Sequence, residues 1–165
     1  MESPLITVRE LTSDDRDWAR AVTASEFGSS QVVSRGSLHD TSRLPGLLAE
    51  IGKEIVGLLQ YRIHGRECEV VVLVSLRPRI GVGRLLLAEA VKIARSAGCT
   101  RLWLITTNDN LEAQEFYRAV GWKQVAVHRG AMDASRRLKP EIPEIGMHGI
   151  PIEDEIEFEF PLEDI

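Results

Sequence analysis

Two glycines one residue apart, Gly81 and Gly83, stand in the run VSLRPRIGVGRLLL from Val74 to Leu87. An apolar strand leads into them and an amphipathic helix leads out. Glycine lets the backbone take unusual dihedrals and lets a ligand come close to it. The first N–H groups of a helix have no intrahelical acceptor and favour an anion. Arg77, Arg79 and Arg84 add positive charge around the same turn. The chemistry such a turn suits is holding a phosphate. Two familiar phosphate motifs do not match. A dinucleotide fingerprint needs a third glycine where Leu86 stands, and a P-loop needs Gly-Lys-Ser/Thr where the chain has Gly83-Arg84-Leu85. On this spacing alone, a ligand-free strand–helix turn fits as well as an anion cradle.

Other side chains are of types that move protons. Tyr117 shares helical spacing with Ala113, Phe116 and Val120. It suits a core position with its hydroxyl satisfied at the edge, or a proton donor, because a phenol of pKa about 10 stays protonated at neutral pH. Glu67 and Glu69 precede the buried part of a strand. A carboxylate there is either a rim residue or a group that takes a proton from an incoming amine, directly or through water. His64, His39 and Asp40, in turns or loops, are lesser candidates for the same role. Cys68 and Cys99 show no Cys-x-x-Cys and no Cys/His pairing at ligand spacing. They read as small buried hydrophobes, and no metal site is expected.

The elements that must position these groups follow from periodicity. Ile6–Leu11 reads as a strand, and Ser13 as the N-cap of a helix from Asp14 to about Phe27 whose early aspartates favour its positive end. Gly28–Gly46 is polar and reads as a long loop with at most a short helix. Leu47–Ile51, Glu54–Ile63 and Cys68–Leu76 form a meander through turns at Gly52-Lys53 and His64-Gly65-Arg66; the third strand is almost continuously apolar, as burial on both faces requires. A helix from Gly83 to about Ala97 buries Leu86, Ala90 and Ile93 and stops at Gly98. Arg101–Thr106 is a strand, Asn110 caps a helix ended by Gly121, and Trp122–Arg129 is a further strand. Gly130–Pro151 reads as an irregular excursion. Glu153–Phe160 alternates Ile156, Phe158 and Phe160 with acids, the pattern of a half-buried strand whose acidic side is a solvated face. The fold class is α+β (mixed α/β), with strand–helix–strand units supplying a parallel pair.

Composition narrows the function classes. At 165 residues the chain is expected to form one domain spanning 1–165. Apolar residues at 44% and charged residues at 27% exclude wholesale disorder. A net charge of −5, from 20 basic and 25 acidic residues, argues against nucleic-acid or anionic-membrane partners. The charge is uneven: basic residues gather from Arg77 to Arg101, whereas Glu153 onward carries Asp154, Glu155, Glu157, Glu159, Glu163 and Asp164 with no base. The first ten residues show no secretory pattern, and two cysteines make no disulfide framework, so a cytoplasmic setting is expected. A homodimer is left open.

A second segment, GCTRLWLITTNDNLEAQEFYRAVGW from Gly98 to Trp122, adds specificity. Taken with Gly81-Val82-Gly83, the region from about Ala49 to Val127 resembles the GNAT N-acetyltransferase superfamily. Leu48–Tyr61 looks like the central hairpin of that superfamily, and the last strand also fits. The resemblance implies a central, mostly antiparallel mixed sheet flanked by helices, and transfer of an acetyl group from acetyl-CoA to a primary amine. It implies that Arg79, Ile80, Gly81, Val82, Gly83 and Arg84 hold the pyrophosphate, and that Leu73, Val74, Ser75 and Leu76 pair with the pantetheine arm as an added strand. Asn110 would contact the cofactor, and Tyr117 would protonate the leaving thiolate. Glu69 is the carboxylate to pair with it as base. One departure stands out. Where the superfamily usually has Gln or Arg three residues before the first glycine, this chain has Pro78, which lacks an N–H. The loop is slightly short, and Arg77 is the candidate for the displaced basic residue. The rival expectation is a non-catalytic acyl-CoA-binding module on the same fold.

Overall fold

The computed structural model describes residues 4–162; Glu163 and Asp164 of the acidic tail lie outside them. The chain begins with β1 (Thr7–Glu10), a 3-10 turn and α1 (Arg16–Phe27). Thr12, not Ser13, starts the turn. The side chain of Asp15 accepts from the Thr12 N–H at 2.8 Å, closing a capping box that a reading of single-residue cap preferences does not separate from its neighbour. Arg9 donates to Asp15 at 2.8 Å and to Glu50 at 2.9 Å, stapling the turn to two strands.

The polar stretch expected as a loop instead forms a hairpin, β2 (Gln31–Ser34) and β3 (Ser37–Asp40), followed by a 3-10 turn. Arg35 and Gly36 both have positive φ, 47° and 75°, which suits a two-residue hairpin turn. The meander is β4 (Gly46–Ile51), β5 (Glu54–His64) and β6 (Glu67–Ser75). After it come α2 (Val82–Ser96), β7 (Arg101–Thr107), α3 (Leu111–Ala119) and β8 (Lys123–His128). The excursion holds a short helix, α4 (Ala131–Leu138), before β9 (Glu155–Phe160). Pro140, Pro143 and three glycines dominate that stretch by composition, but Ala131–Leu138 precedes the first proline and is free to coil.

Seven strands form one sheet in the order β1-β4-β5-β6-β7-β9-β8. Every neighbouring pair is antiparallel except β6 and β7, which run parallel because α2 crosses between them. One face of the sheet, with Leu59, Cys68, Val70, Leu102, Leu104 and Phe158, packs under α2 and α3. The other face, with Leu48, Leu58, Val72 and Val74, packs under α1. β9 lies between β7 and β8, so its acids are not a solvated face. Glu155 is 2% exposed and Glu157 9%. Glu157 and Glu159 are matched by Arg101, and Glu157 also by His128 at 2.8 Å. Among the described residues, no helix is long and apolar enough to cross a membrane.

Candidate active site

The parallel ladder between β6 and β7 is short. It pairs Glu67 with Arg101 and ends where Val70 faces Leu104, although β6 continues to Ser75 and β7 to Thr107. The cause lies on the other side of β6. In the β5 pairing, Gln60 faces Val72 and Tyr61 faces Val70, so Val71 is an extra residue, a β-bulge. The bulge switches which residues face which side. Cys68 and Val70 point under α2, whereas Val72 and Val74 point under α1. It also turns the rest of β6 away from β7 and opens a cleft between Val71–Ser75 and Ile105–Thr107.

That cleft offers unused backbone groups. The Leu76 N–H donates to Val56 O at 2.8 Å, back toward β5. Strand alternation then turns the Leu73 and Ser75 N–H groups toward the cleft. Of the four residues expected to pair with an extended ligand, Leu76 therefore has its donor spent, and Val74 shares its direction.

The turn after β6 brings Arg79, Ile80, Gly81, Val82, Gly83 and Arg84 together at the start of α2. Gly81 caps the helix with φ 94°, a conformation that only glycine takes without strain, and a Cβ there would meet nothing within 4 Å. The first helical N–H with a backbone acceptor is that of Leu85, to Gly81 O at 3.0 Å, so the amides before it form the open end of the helix. Gly83 serves packing: a Cβ there would lie 3.1 Å from Cζ of Phe116, so its absence lets α3 sit against the start of α2. Arg79 and Arg84 are exposed near the turn. Arg77, the candidate for the displaced basic residue, pairs with Glu54 at the start of β5, and both side chains are about half exposed. A groove of about 380 Å³ runs along α2, with Arg84, Lys92 and Arg95 on one wall and Val120, Trp122 and Phe160 on the other.

α3 carries the other two predicted residues. Asn110 is its N-cap, with its side-chain oxygen accepting from the Ala113 N–H at 3.1 Å. Tyr117 packs against Phe158, Trp122 and Phe116 with ring centroids 5.5, 6.2 and 5.6 Å away. Burial pushes its hydroxyl up to about 12. The turn before α3 has a role that the sequence did not suggest. Asn108 accepts from the Glu153 and Asp154 N–H groups, and Asp109 accepts from the Met147 N–H, all near 3 Å, so the later excursion is pinned beside the helix.

Glu69 lies on the opposite face of the sheet from Tyr117, beneath the β2–β3 hairpin, and is 3% exposed. Ser34 Oγ donates to its carboxylate at 2.6 Å, and His39 Nε2 is 2.9 Å from the same hydroxyl. Burial raises the carboxyl above its usual value, with the Ser34 hydrogen bond and Arg62 opposing. Burial and Arg62 lower His39. A pocket of about 110 Å³ is lined by Arg62, His64, Glu67, Glu69 and Trp103. Asp40 is taken up in its own turn, accepting from Ser42 N–H and hydroxyl. Cys68 and Cys99 are buried thiols, with Cys68 pushed up to about 12 by desolvation, which disfavours the thiolate. Ser34, Arg62 and Trp103 are site residues that sequence reasoning missed. The alternation of β5 and the Arg35-Gly36 turn were the signals that could have found them.

Comparison with known proteins agrees with this layout. The sequence matches the Acetyltransferase (GNAT) family over residues 8–122. It is 40% identical over 137 residues to the uncharacterized protein YdhI of Bacillus subtilis (strain 168), covering 82% of this chain and 85% of that protein. Its fold is like that of the IAA acetyltransferase from Bacillus cereus ATCC 14579, with TM-score 0.69, 15% identity, and coverage of 95% of this chain and 99% of that one. It is also like a GNAT family acetyltransferase from Elizabethkingia anophelis with acetyl-CoA bound, with TM-score 0.66, 18% identity, and coverage of 94% and 97%. The match over residues 8–122 covers most of the chain, and the chain belongs to the GNAT acetyltransferase family.

Proposed function

We propose that the protein transfers an acetyl group from acetyl-CoA to a primary amine of a small-molecule or protein acceptor, in a ternary complex without a covalent enzyme intermediate. The observation that carries this reading is the end of the β6–β7 ladder at Val70, directly before the bulge. An extended pantetheine arm can complete the edge of β6 there, accepting from the Leu73 and Ser75 N–H groups. The amides from Arg79 to Arg84 would hold the pyrophosphate, with Pro78 contributing none. Asn110 retains its amide N–H groups for the cofactor after its oxygen caps α3. The groove along α2 would take the nucleotide end.

Chemistry then follows from the two faces. Acetyl-CoA enters from the helix side, and the amine from the side of Glu69. Glu69 takes one proton from the ammonium, and the free nitrogen attacks the thioester carbon. The N–C bond forms as the C–S bond breaks, the nitrogen loses its second proton to solvent, and Tyr117 gives its proton to the departing thiolate and takes one back from solvent. A β6 amide polarises the thioester carbonyl. Holding amine and thioester together contributes about 7–11 kcal/mol of the barrier lowering.

A thiol-release assay with acetyl-CoA and a panel of amines tests the proposal. Amine-dependent release of free CoA is expected. Saturable acetyl-CoA binding with no release for any amine would instead identify a non-catalytic acyl-CoA-binding module.

A further inference from the structure

Resting on that reading, we infer that the acceptor is a free amino acid, its ammonium received by Glu69 and its carboxylate by Arg62 across the pocket between them. Arg62 and Glu69 are directly opposed on β5 and β6. Directly opposed residues share a face, with Cβ atoms about 5 Å apart. At that separation an arginine and a glutamate normally close into an ion pair. Here no nitrogen of Arg62 comes within ion-pair distance of a carboxylate among the described residues. Arg62 is still close enough to oppose the rise of the Glu69 carboxyl and to lower His39. What separates them is the pocket of about 110 Å³ that both line. That is the space of about four water molecules, the scale of an ammonium and a carboxylate on one carbon.

The two carboxylates around the pocket are already engaged. Glu67 is paired with Arg101 at 3.0 Å. Glu69 is held by Ser34, so its carboxylate is fixed in direction. Among the described residues, Arg62 is thus the permanently charged cation of the pocket left without a carboxylate partner, and its planar guanidinium suits bidentate binding of a carboxylate. A plain amine would satisfy Glu69 and leave Arg62 unpaired. A plain anion would meet two carboxylates. Only a ligand with both charges answers both walls. Trp103 lies at register with Glu69 on the neighbouring strand and provides an apolar surface for the first atoms of a side chain.

The test pairs each of the proteinogenic amino acids with the amine lacking its α-carboxylate, in the thiol-release assay with acetyl-CoA. At least one amino acid is expected to exceed its carboxylate-free partner by about 100-fold in kcat/KM, as loss of a bidentate contact implies. In Arg62→Met that ratio should fall toward one, mainly through the KM of the amino acid, with thermal melting reporting that the variant is folded. Equal use of amines and amino acids, retention of the ratio in Arg62→Met, or turnover of plain amines with no turnover of any amino acid would overturn the inference and leave the transferase reading intact. Absence of acetyl-CoA binding would remove both.

Discussion

Glu69 and Tyr117 act, in this account, from opposite faces of one sheet, and their environments push them to different tasks. Burial raises the Glu69 carboxyl, so it is a stronger base than a surface glutamate once ionised. Its ionisation should appear as the rising limb of kcat/KM with pH. Glu69→Gln is predicted to remove that limb and lower kcat/KM about 100-fold; an unchanged limb would assign the base elsewhere. Tyr117, at about 12, stays protonated throughout the range where enzymes are assayed. Tyr117→Phe should therefore lower kcat by a similar factor at every pH between 6 and 9, about 10- to 100-fold, without removing a limb. A variant as fast as wild type would reduce Tyr117 to a packing residue among Phe116, Trp122 and Phe158.

At the scale of elements, the turn between β6 and α2 depends on two glycines for separate reasons. Gly81 is required by its φ of 94° and Gly83 by the approach of Phe116. Gly81→Ala is predicted to cost about 1–2 kcal/mol, from left-handed backbone strain alone, and to lower the melting temperature by about 3–6 °C. Acetyl-CoA affinity should fall with it, as titration would report. The meander, α2 and the capped α3 were legible because their apolar spacing and stop signals agree. The Ser34 hairpin was not, because its eight strand residues are mostly polar and gain their burial from Glu69 and Glu155 on distant strands. The acidic β9 misled for a related reason. Alternation shows that Glu155 and Glu157 share a face, but not that a hairpin and Arg101 cover it. The cleft itself was legible only through family resemblance, since a bulge at Val71 has no signature in a run of valines.

For the whole molecule, two sets of carboxyls set opposing acid responses. Asp15, beside Arg9, is held well below the usual carboxylate range. Its contribution is present above the unfolded value of about 4 and is lost as pH falls through the folded value. Glu69 and Glu155 are raised by burial, so their contribution is full below about 4 and is lost as pH rises through their folded values. Asp15→Asn should cost about 1–3 kcal/mol at pH 7 in urea unfolding, and the gap from wild type should narrow by pH 3. A gap independent of pH would mean that Asp15 acts by shape and not by charge.

The central claim is that the cleft beside the bulge and the open end of α2 together receive acetyl-CoA. Isothermal titration of the folded protein with acetyl-CoA tests it most directly. One saturable site per chain is predicted, weakened in Gly81→Ala. No saturable heat from protein that melts cooperatively would contradict it.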